Sequence, residues 1–110
     1  MNSVVLYGIY TAKFPFLGTS KDKVRPVIVV SKPHGQHNIV SVVPVSSQVN
    51  QENVDIELQD WQDAGLLKPS IARVHRLSAL LQSELTSQLG VLRVKDRKKL
   101  LEALKKLLIL

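Results

Sequence analysis

The first two thirds of the chain alternate short runs of β-branched and aromatic residues with polar segments that contain proline or glycine. This pattern predicts strands separated by turns. The predicted strands are residues 4–10, 27–30, 39–45, 54–58 and 70–77. The second is continuously apolar, as in a strand covered on both faces, whereas the fourth alternates as a half-buried strand does. Strands this short and frequent predict a small β-barrel.

The final third of the chain has the spacing of helices instead. The leucines and the glutamate between residues 80 and 89 predict a short helix that ends before Gly90. Asp96 is a candidate cap for a second helix over residues 97–110. One face of this helix carries Leu100, Leu101, Leu104, Leu107 and Leu108, and the other is mostly basic. Such a helix can lie on a membrane surface, but we expect its leucine face to pack on the barrel.

The chain is 110 residues long, which lies within the usual range of about 100 to 150 residues for one domain. We expect residues 1–110 to form a single domain whose small core gains stability by pairing with a second copy. The first ten residues lack a basic leader and a small-residue cleavage site, so we expect no signal peptide. We expect no membrane partner, because no apolar run approaches the roughly 20 residues of a membrane span.

The net charge of +6 is unevenly distributed along the chain. Five of the nine acidic residues lie in one stretch without bases: Glu52, Asp55, Glu57, Asp60 and Asp63. The remaining chain has 15 basic and four acidic residues, a net charge of +11. This charge favours nucleic acid or an acidic protein as a partner, although an inert basic surface gives the same composition.

Several classes of chemistry are excluded by missing residues. The chain has no cysteine, which excludes disulfides, a thiol nucleophile and thiolate zinc sites and is compatible with a reducing cytoplasm. It has no P-loop, glycine-rich dinucleotide turn, HExxH motif or Gly-x-Ser-x-Gly elbow, so we expect no cofactor. His34 and His37 could bind a metal only with carboxylates from elsewhere, and their surroundings predict a solvated turn instead. We expect no metal site.

Polar residues stand at the ends of the apolar strands or within one of them. Arg25 precedes the second predicted strand, Ser46 and Ser47 follow the third, and Arg73 and His75 lie inside the fifth. Residues two apart in a strand share a face, so Arg73 and His75 should project to the same side. An arginine, a histidine and a hydroxyl can bind and polarise a phosphodiester. The alternative is that Arg73 and His75 only line a solvated sheet face.

Four segments in succession resemble one known family. Arg25-Pro26 with the following apolar strand is similar to the Arg-Pro-hydrophobic strand of the MazF/PemK toxins, and Pro44-Val45-Ser46-Ser47 resembles that family's Pro-x-Thr-Ser segment. Residues 64–74 resemble its Gly-Leu and Ser-apolar strand, and residues 85–92 with the terminal helix resemble its last element. The likeness covers about residues 20–110, and the loop that begins Lys13-Phe14-Pro15-Phe16 resembles one subgroup.

This resemblance implies an α+β fold, a small SH3-like antiparallel β-barrel with a C-terminal amphipathic helix. It implies a homodimeric toxin of a type II toxin-antitoxin system that acts in the cytoplasm. The implied activity is metal-independent cleavage of single-stranded RNA at short sequences, by attack of the substrate's own 2'-hydroxyl. The implied inhibitor is a cognate antitoxin whose acidic, flexible segment occupies the RNA site and folds on binding.

The resemblance also implies site residues. Arg25 matches the functional arginine, Ser46 stands where a threonine is usual, Ser47 matches the neighbouring serine and Arg73 matches a basic residue of some members. His75 stands where one branch has aspartate, and we expect it to accept the proton of the 2'-hydroxyl. The candidate catalytic residues are therefore Arg25, Ser46, Arg73 and His75. The candidate RNA-binding residues are Lys21, Lys23, Arg25, Ser47 and Arg76.

Two other functions remain open. The chain could be a non-catalytic RNA-binding protein or decayed toxin, in which case it binds RNA without shortening it. It could also be a gyrase poison of the related CcdB type, in which case it inhibits DNA supercoiling and leaves RNA intact.

Overall fold

The computed structural model describes residues 3–13, 23–48 and 52–109. The strands are β1 (Gly8–Lys13), β2 (Val24–Val29), β3 (Ile39–Ser46), β4 (Ile56–Glu57), β5 (Ile71–Ala72), β6 (Ser78–Leu81) and β7 (Leu85–Val91), followed by the helix α1 (Val94–Leu108). Two short 3₁₀ turns, Val74–Arg76 and Gln82–Glu84, flank β6. Lys21 and the predicted loop from residue 14 to 18 lie outside the described residues.

The strands form an antiparallel sheet organised around β3. Along the sheet the order is β4-β5-β3-β2-β1-β7, and β6 also pairs with β3. The first half of β3 pairs with β6 and its last two residues pair with β5, so this long strand joins two parts of the sheet. The expected α+β class with a C-terminal helix is confirmed. Among the described residues β4 and β7 end the sheet without pairing with each other, so the predicted barrel does not close into a ring.

The sheet is buried on both faces at its centre. In β2, Ile28 contributes to one core cluster, while Val27 and Val29 contribute to a second. The same division runs along β3, because successive side chains of a strand point to opposite faces. The continuous apolar run at 27–30 therefore predicted correctly a strand that is covered on both sides.

The predicted helix between residues 80 and 89 is wrong. Leu80 lies in β6, opposite Val40 of β3, and residues 85–91 form β7 along β1. The 3₁₀ turn between them is closed by Glu84, whose Oε1 accepts a hydrogen bond from the backbone N–H of Leu81 (2.8 Å). Pairing with two central strands outweighs the helical preference of leucine, which is a weak local effect.

The C-terminal helix is confirmed, but it begins at Val94 and Asp96 does not cap it. Asp96 is fully buried, and its two oxygens accept hydrogen bonds from the backbone N–H groups of Gln59 (3.0 Å) and Asp60 (2.9 Å). Three leucines of the predicted apolar face contact the core: Leu100, Leu104 and Leu107. The other two, Leu101 and Leu108, are exposed. No described helix has the length and apolar character needed to cross a membrane.

Candidate functional site

A groove runs over the ends of β2 and β3, and we call it the Arg25 groove. The pairing of Val27 with Pro44 places the start of β2 beside the end of β3. The groove has a volume of about 410 Å³. Its polar lining consists of Thr11, Arg25, Ser46, Ser47, Lys68 and Ser70. Its apolar lining consists of Pro26, Val45, Leu66, Leu67 and Leu89, with Gly65 at the base of one wall.

The groups in this groove suit a phosphodiester. Arg25 and Ser46 are half-buried, and Ser47 is exposed. The Ser46 hydroxyl oxygen accepts a hydrogen bond from the backbone N–H of Gln48 (3.1 Å), which leaves its own O–H able to donate. A guanidinium can hold two phosphate oxygens at once, and such charge-assisted bonds are the strong ones. The groove can therefore bind a phosphodiester and stabilise negative charge that develops on it.

A second cluster joins Asp55, Arg73 and His75 below the surface. The Arg73 guanidinium donates Nη1–H to Asp55 Oδ2 (3.2 Å) and Nη2–H to the backbone carbonyl of Gln48 (3.2 Å). The other carboxylate oxygen, Oδ1, lies 2.6 Å from His75 Nδ1. Burial raises the pKa of the Asp55 carboxyl, but the hydrogen bonds from His75 and Arg73 outweigh this effect and hold that pKa below its usual value.

The expectation that Arg73 and His75 share one face of a strand is wrong. The fifth predicted strand ends after Ala72, and His75 lies in the 3₁₀ turn that follows. The two side chains meet because both contact Asp55. Arg73 is only 2% exposed. It holds the chain at Gln48, just after Ser46 and Ser47. Its catalytic role stays a prediction.

The sequence did not identify Asp55, the residue that organises this cluster. The alternating pattern of the predicted fourth strand placed Asp55 on the solvent face, together with exposed acidic residues. A signal was present, because Arg73 stands between the apolar residues Ala72 and Val74. A buried arginine requires a carboxylate partner, and the acidic stretch supplies one.

The remaining predicted site residues are separated from one another. Ser47 lines the Arg25 groove, and Lys23 is exposed just before β2. Arg73, His75 and Arg76 do not line this groove. The Arg76 side chain donates Nε–H to His75 Nε2 (3.3 Å). The structure thus brings together Arg25, Ser46 and Ser47 and adds Lys68 and Thr11, which no sequence motif indicated.

One group of side chains in the described residues has the composition of a metal site. Glu52, Asp55 and His75 place ligand atoms within 4.8 Å of one another. Both Asp55 oxygens already accept hydrogen bonds, one of them from a buried guanidinium. A cation would have to displace those donors and would lie beside the positive charge of Arg73, so these residues fit a metal poorly. His34 and His37 are exposed in a turn, as the sequence predicted.

One wall of the Arg25 groove depends on a close crossing of two backbones. A Cβ at Gly65 would lie 2.2 Å from the Leu89 carbonyl oxygen, and a Cβ at Gly90 would lie 2.1 Å from the Ala64 carbonyl oxygen. Gly65 also has a φ of +93°, a conformation that disfavours other residues. The two glycines therefore allow the groove wall to pack directly on β7.

We expect Gly65→Ala to destabilise the protein by about 1–3 kcal/mol more than Gly35→Ala does. Gly35 is the matched control, because it also has a positive φ (+76°) but has no atom within 4 Å of the added Cβ. Urea unfolding of both variants measures the difference. Equal losses of stability would contradict the importance of the crossing and leave only the backbone conformation as the cause.

Comparison with models of known protein families identifies one family. The family model of PemK-like, MazF-like toxins of type II toxin-antitoxin systems matches residues 7–108. No curated protein matches the chain significantly. The chain is similar to the Mycobacterium tuberculosis toxin MazF-mt6, with 23% identity and a TM-score of 0.74 over 94% of this chain and 97% of the toxin.

Two further solved structures have the same fold. One is MazE-MazF from Deinococcus radiodurans, with 16% identity and a TM-score of 0.77 over 100% of this chain and 99% of that one. The other is an endoribonuclease in complex with its cognate antitoxin from a mycobacterial species, with 19% identity and a TM-score of 0.75. That match covers 98% of this chain and 97% of the endoribonuclease.

Proposed function

This chain belongs to the PemK-like, MazF-like toxins of type II toxin-antitoxin systems, and we propose that it is a metal-independent endoribonuclease that cleaves single-stranded RNA at short sequences. The observation that carries this proposal is the meeting of Arg25, Ser46 and Ser47 in one open groove. An endoribonuclease is also among the structures that share the fold. The chain outside the acidic stretch is strongly cationic, which favours a polyanion such as RNA as a partner.

The reaction needs phosphate-binding groups, which this groove supplies, together with a base and an acid for the two proton transfers. The 2'-hydroxyl oxygen forms a bond to phosphorus, and the bond from phosphorus to the 5'-oxygen of the next nucleotide breaks. The 2'-hydroxyl proton passes to a base, and the leaving oxygen takes up a proton. Arg25 holds the non-bridging oxygens and Ser46 donates to them, which stabilises the charge that develops at phosphorus. The products are a 2',3'-cyclic phosphate and a 5'-hydroxyl.

Incubation of the purified protein with a long RNA in EDTA tests this function. We expect cleavage, cyclic phosphate ends at a short recurring sequence, and no cleavage where the cut nucleotide is 2'-deoxy. Loss of cleavage in EDTA with recovery in magnesium would contradict the metal-independent reaction. RNA that is bound but intact would indicate a non-catalytic protein, and inhibited supercoiling with intact RNA would indicate a gyrase poison.

We further propose that His75 accepts the 2'-hydroxyl proton. Asp55 is ionised and can only accept hydrogen bonds, so the short contact requires the proton on His75 Nδ1. The basic lone pair then lies on Nε2, in a side chain that is 27% exposed. Because His75 does not line the Arg25 groove, this role requires the RNA strand to extend past Gln48 toward the cluster.

We expect His75→Ala to slow cleavage by about 10²-fold, the lower end of what a general base contributes, with RNA binding nearly unchanged. The lower end applies because Nε2 also accepts a hydrogen bond from Arg76. His37→Ala is the matched control, since His37 is an exposed histidine of the turn before β3. A folded His75→Ala protein with normal turnover and an unchanged acidic limb in its pH profile would assign proton transfer to Arg25.

The antitoxin is proposed to bind in the Arg25 groove. The groove combines the cations of Arg25 and Lys68 with exposed leucines, of which Leu67 is 93% exposed. An acidic, flexible segment with apolar residues complements both features and would exclude RNA. Competition binding should show that the cognate antitoxin displaces RNA and binds less tightly as salt rises. An antitoxin that binds while RNA access remains would contradict this arrangement.

We also propose a homodimer. Large apolar residues outside the groove, such as Val24, are exposed. A second copy that covers such residues and leaves the groove open would stabilise a small core. A stable pair would bury roughly 1,200 to 2,000 Å². Sedimentation at micromolar concentration measures the assembly, and a 12.3 kDa species unchanged on dilution would contradict it.

A further inference from the structure

We propose that a second pocket, beside the Arg25 groove, binds one unpaired nucleobase of the RNA and disfavours uracil at that position. This inference rests on the proposed function. The pocket has a volume of about 380 Å³ and is lined in part by Trp61, so we call it the Trp61 pocket. It shares Ser47 and Ser70 with the Arg25 groove, so a strand held by its phosphate in the groove places the adjoining base here.

The two neighbouring sites carry different charges, so one favours the phosphate of a nucleotide and the other favours its base. Among the residues that the structure describes, the Arg25 groove has two cations, Arg25 and Lys68. In the described part of the chain, no lysine or arginine lines the Trp61 pocket, and Glu57 contributes a carboxylate to it. A phosphate is attracted to the first site and repelled from the second. The pocket therefore accepts the uncharged base and not the backbone.

Trp61 supplies a rigid aromatic surface for that base. The half-buried indole packs on one side against the hydrophobic core. Its own backbone is fixed, because the Trp61 carbonyl accepts a hydrogen bond from the N–H of Leu66 (3.0 Å). A preordered aromatic ring loses little conformational entropy when a base stacks on it. Unstacked bases of single-stranded RNA bind proteins in this way.

The polar groups around the Trp61 ring can form hydrogen bonds with the edge of a base. Gln48 and Gln59 offer amide groups, and each is anchored through its backbone by a buried charge. Arg73 holds the Gln48 carbonyl (3.2 Å), and Asp96 holds the Gln59 N–H (3.0 Å). Glu57 can accept a hydrogen bond from an exocyclic amino group, which adenine, cytosine and guanine have and uracil lacks. Glu57 is exposed in the free protein. Uracil can offer it only the N3–H, whose two flanking carbonyl oxygens repel the carboxylate, so uracil is disfavoured at this position.

Trp61 is the single tryptophan of the chain, so its fluorescence reports on this pocket alone. The probe is a single-stranded RNA that carries the cleavage sequence with 2'-O-methyl riboses, which cannot be cut. Its binding is followed independently by the anisotropy of a dye on the RNA. We expect binding to quench the tryptophan, and an abasic substitution to abolish quenching at one position of the sequence and nowhere else.

Two Trp61 variants distinguish stacking of the ring on a base from packing of the ring on the core. Trp61→Phe keeps an aromatic ring and should retain RNA affinity, whereas Trp61→Leu should weaken it by roughly 5- to 100-fold. Glu57→Gln should remove the preference against uracil at the position found by abasic substitution. Asp63→Asn, which changes an exposed acid of the same stretch outside the pocket, should leave the sequence preference unchanged.

The outcomes distinguish this inference from the proposed function. RNA that binds and is cleaved without tryptophan quenching, or a sequence preference unchanged in Glu57→Gln, overturns the base pocket alone. Position-specific quenching by an RNA that is never cleaved in its unmodified form supports the pocket and overturns the nuclease. An RNA that does not bind at all overturns both.

Discussion

Replacement of Arg25 by alanine is expected to slow RNA cleavage by about 10²- to 10³-fold and to weaken RNA binding as well. The loss follows from the position of the side chain, which is half-buried and lines the groove together with Ser46. In this setting a guanidinium both binds the phosphate and stabilises the charge that develops in the transition state. Loss of both effects lowers kcat and raises KM, which single-turnover and steady-state assays measure separately.

Two variants make this test specific. Arg25→Lys keeps the positive charge but not the planar fork, so we expect it to restore binding more than cleavage. Lys95→Ala removes an exposed cation of α1, outside the groove, and should change cleavage little. An Arg25→Ala protein that cleaves RNA like the wild type would show that the reacting phosphate lies elsewhere on the surface.

Replacement of Asp55 by alanine is expected to destabilise the fold by about 3–5 kcal/mol. Asp55 and Arg73 are both about 2% exposed, and removal of the carboxylate leaves the buried guanidinium without its counter-charge. Asp63→Ala is the control, because Asp63 is an exposed acid of the same stretch. Asp55→Leu combined with Arg73→Met should recover much of the loss, since a buried pair replaced by apolar residues costs little. Equal stability of the Asp55→Ala and Asp63→Ala proteins in urea would contradict this role.

The Asp55 carboxylate should account for part of the loss of folding stability at acidic pH. The pKa of Asp55 is lower in the folded protein than in the unfolded chain, where a free aspartate titrates near ~3.9. Between these two values the unfolded state binds more protons, so the stabilisation is complete above ~4 and is lost as pH falls toward the folded value. Stability measured from pH 6 to pH 2 should therefore fall more steeply in the wild type than in the Asp55→Leu/Arg73→Met protein.

Long-range contacts explain most of what the sequence did not predict about the site. Asp55 meets Arg73 across 18 residues, and Asp96 meets Gln59 across 37. Each acid was assigned a local role, Asp55 on a solvent face and Asp96 as a helix cap. Local patterns carry no information about a partner so far along the chain. The burial of a charged side chain depends on that partner, and so the roles of Asp55, Asp96 and Arg73 required the tertiary structure.

The sequence by itself determined the central strands, the terminal helix and one end of the site. The apolar runs at 27–30 and 39–45 predict buried strands, because each run is bounded by polar turns on both sides. Arg25 and Ser46 close the ends of these runs, so antiparallel pairing brings them together. Tertiary structure alone decided that residues 80–89 are strands, because open edges of β3 and β1 supply the hydrogen bonds that a local helix would otherwise make. The tertiary structure also decided which polar residues line the groove. The close backbone contact at Gly65 and Gly90 brings Leu67 and Lys68, which form one wall of the groove, near the sheet.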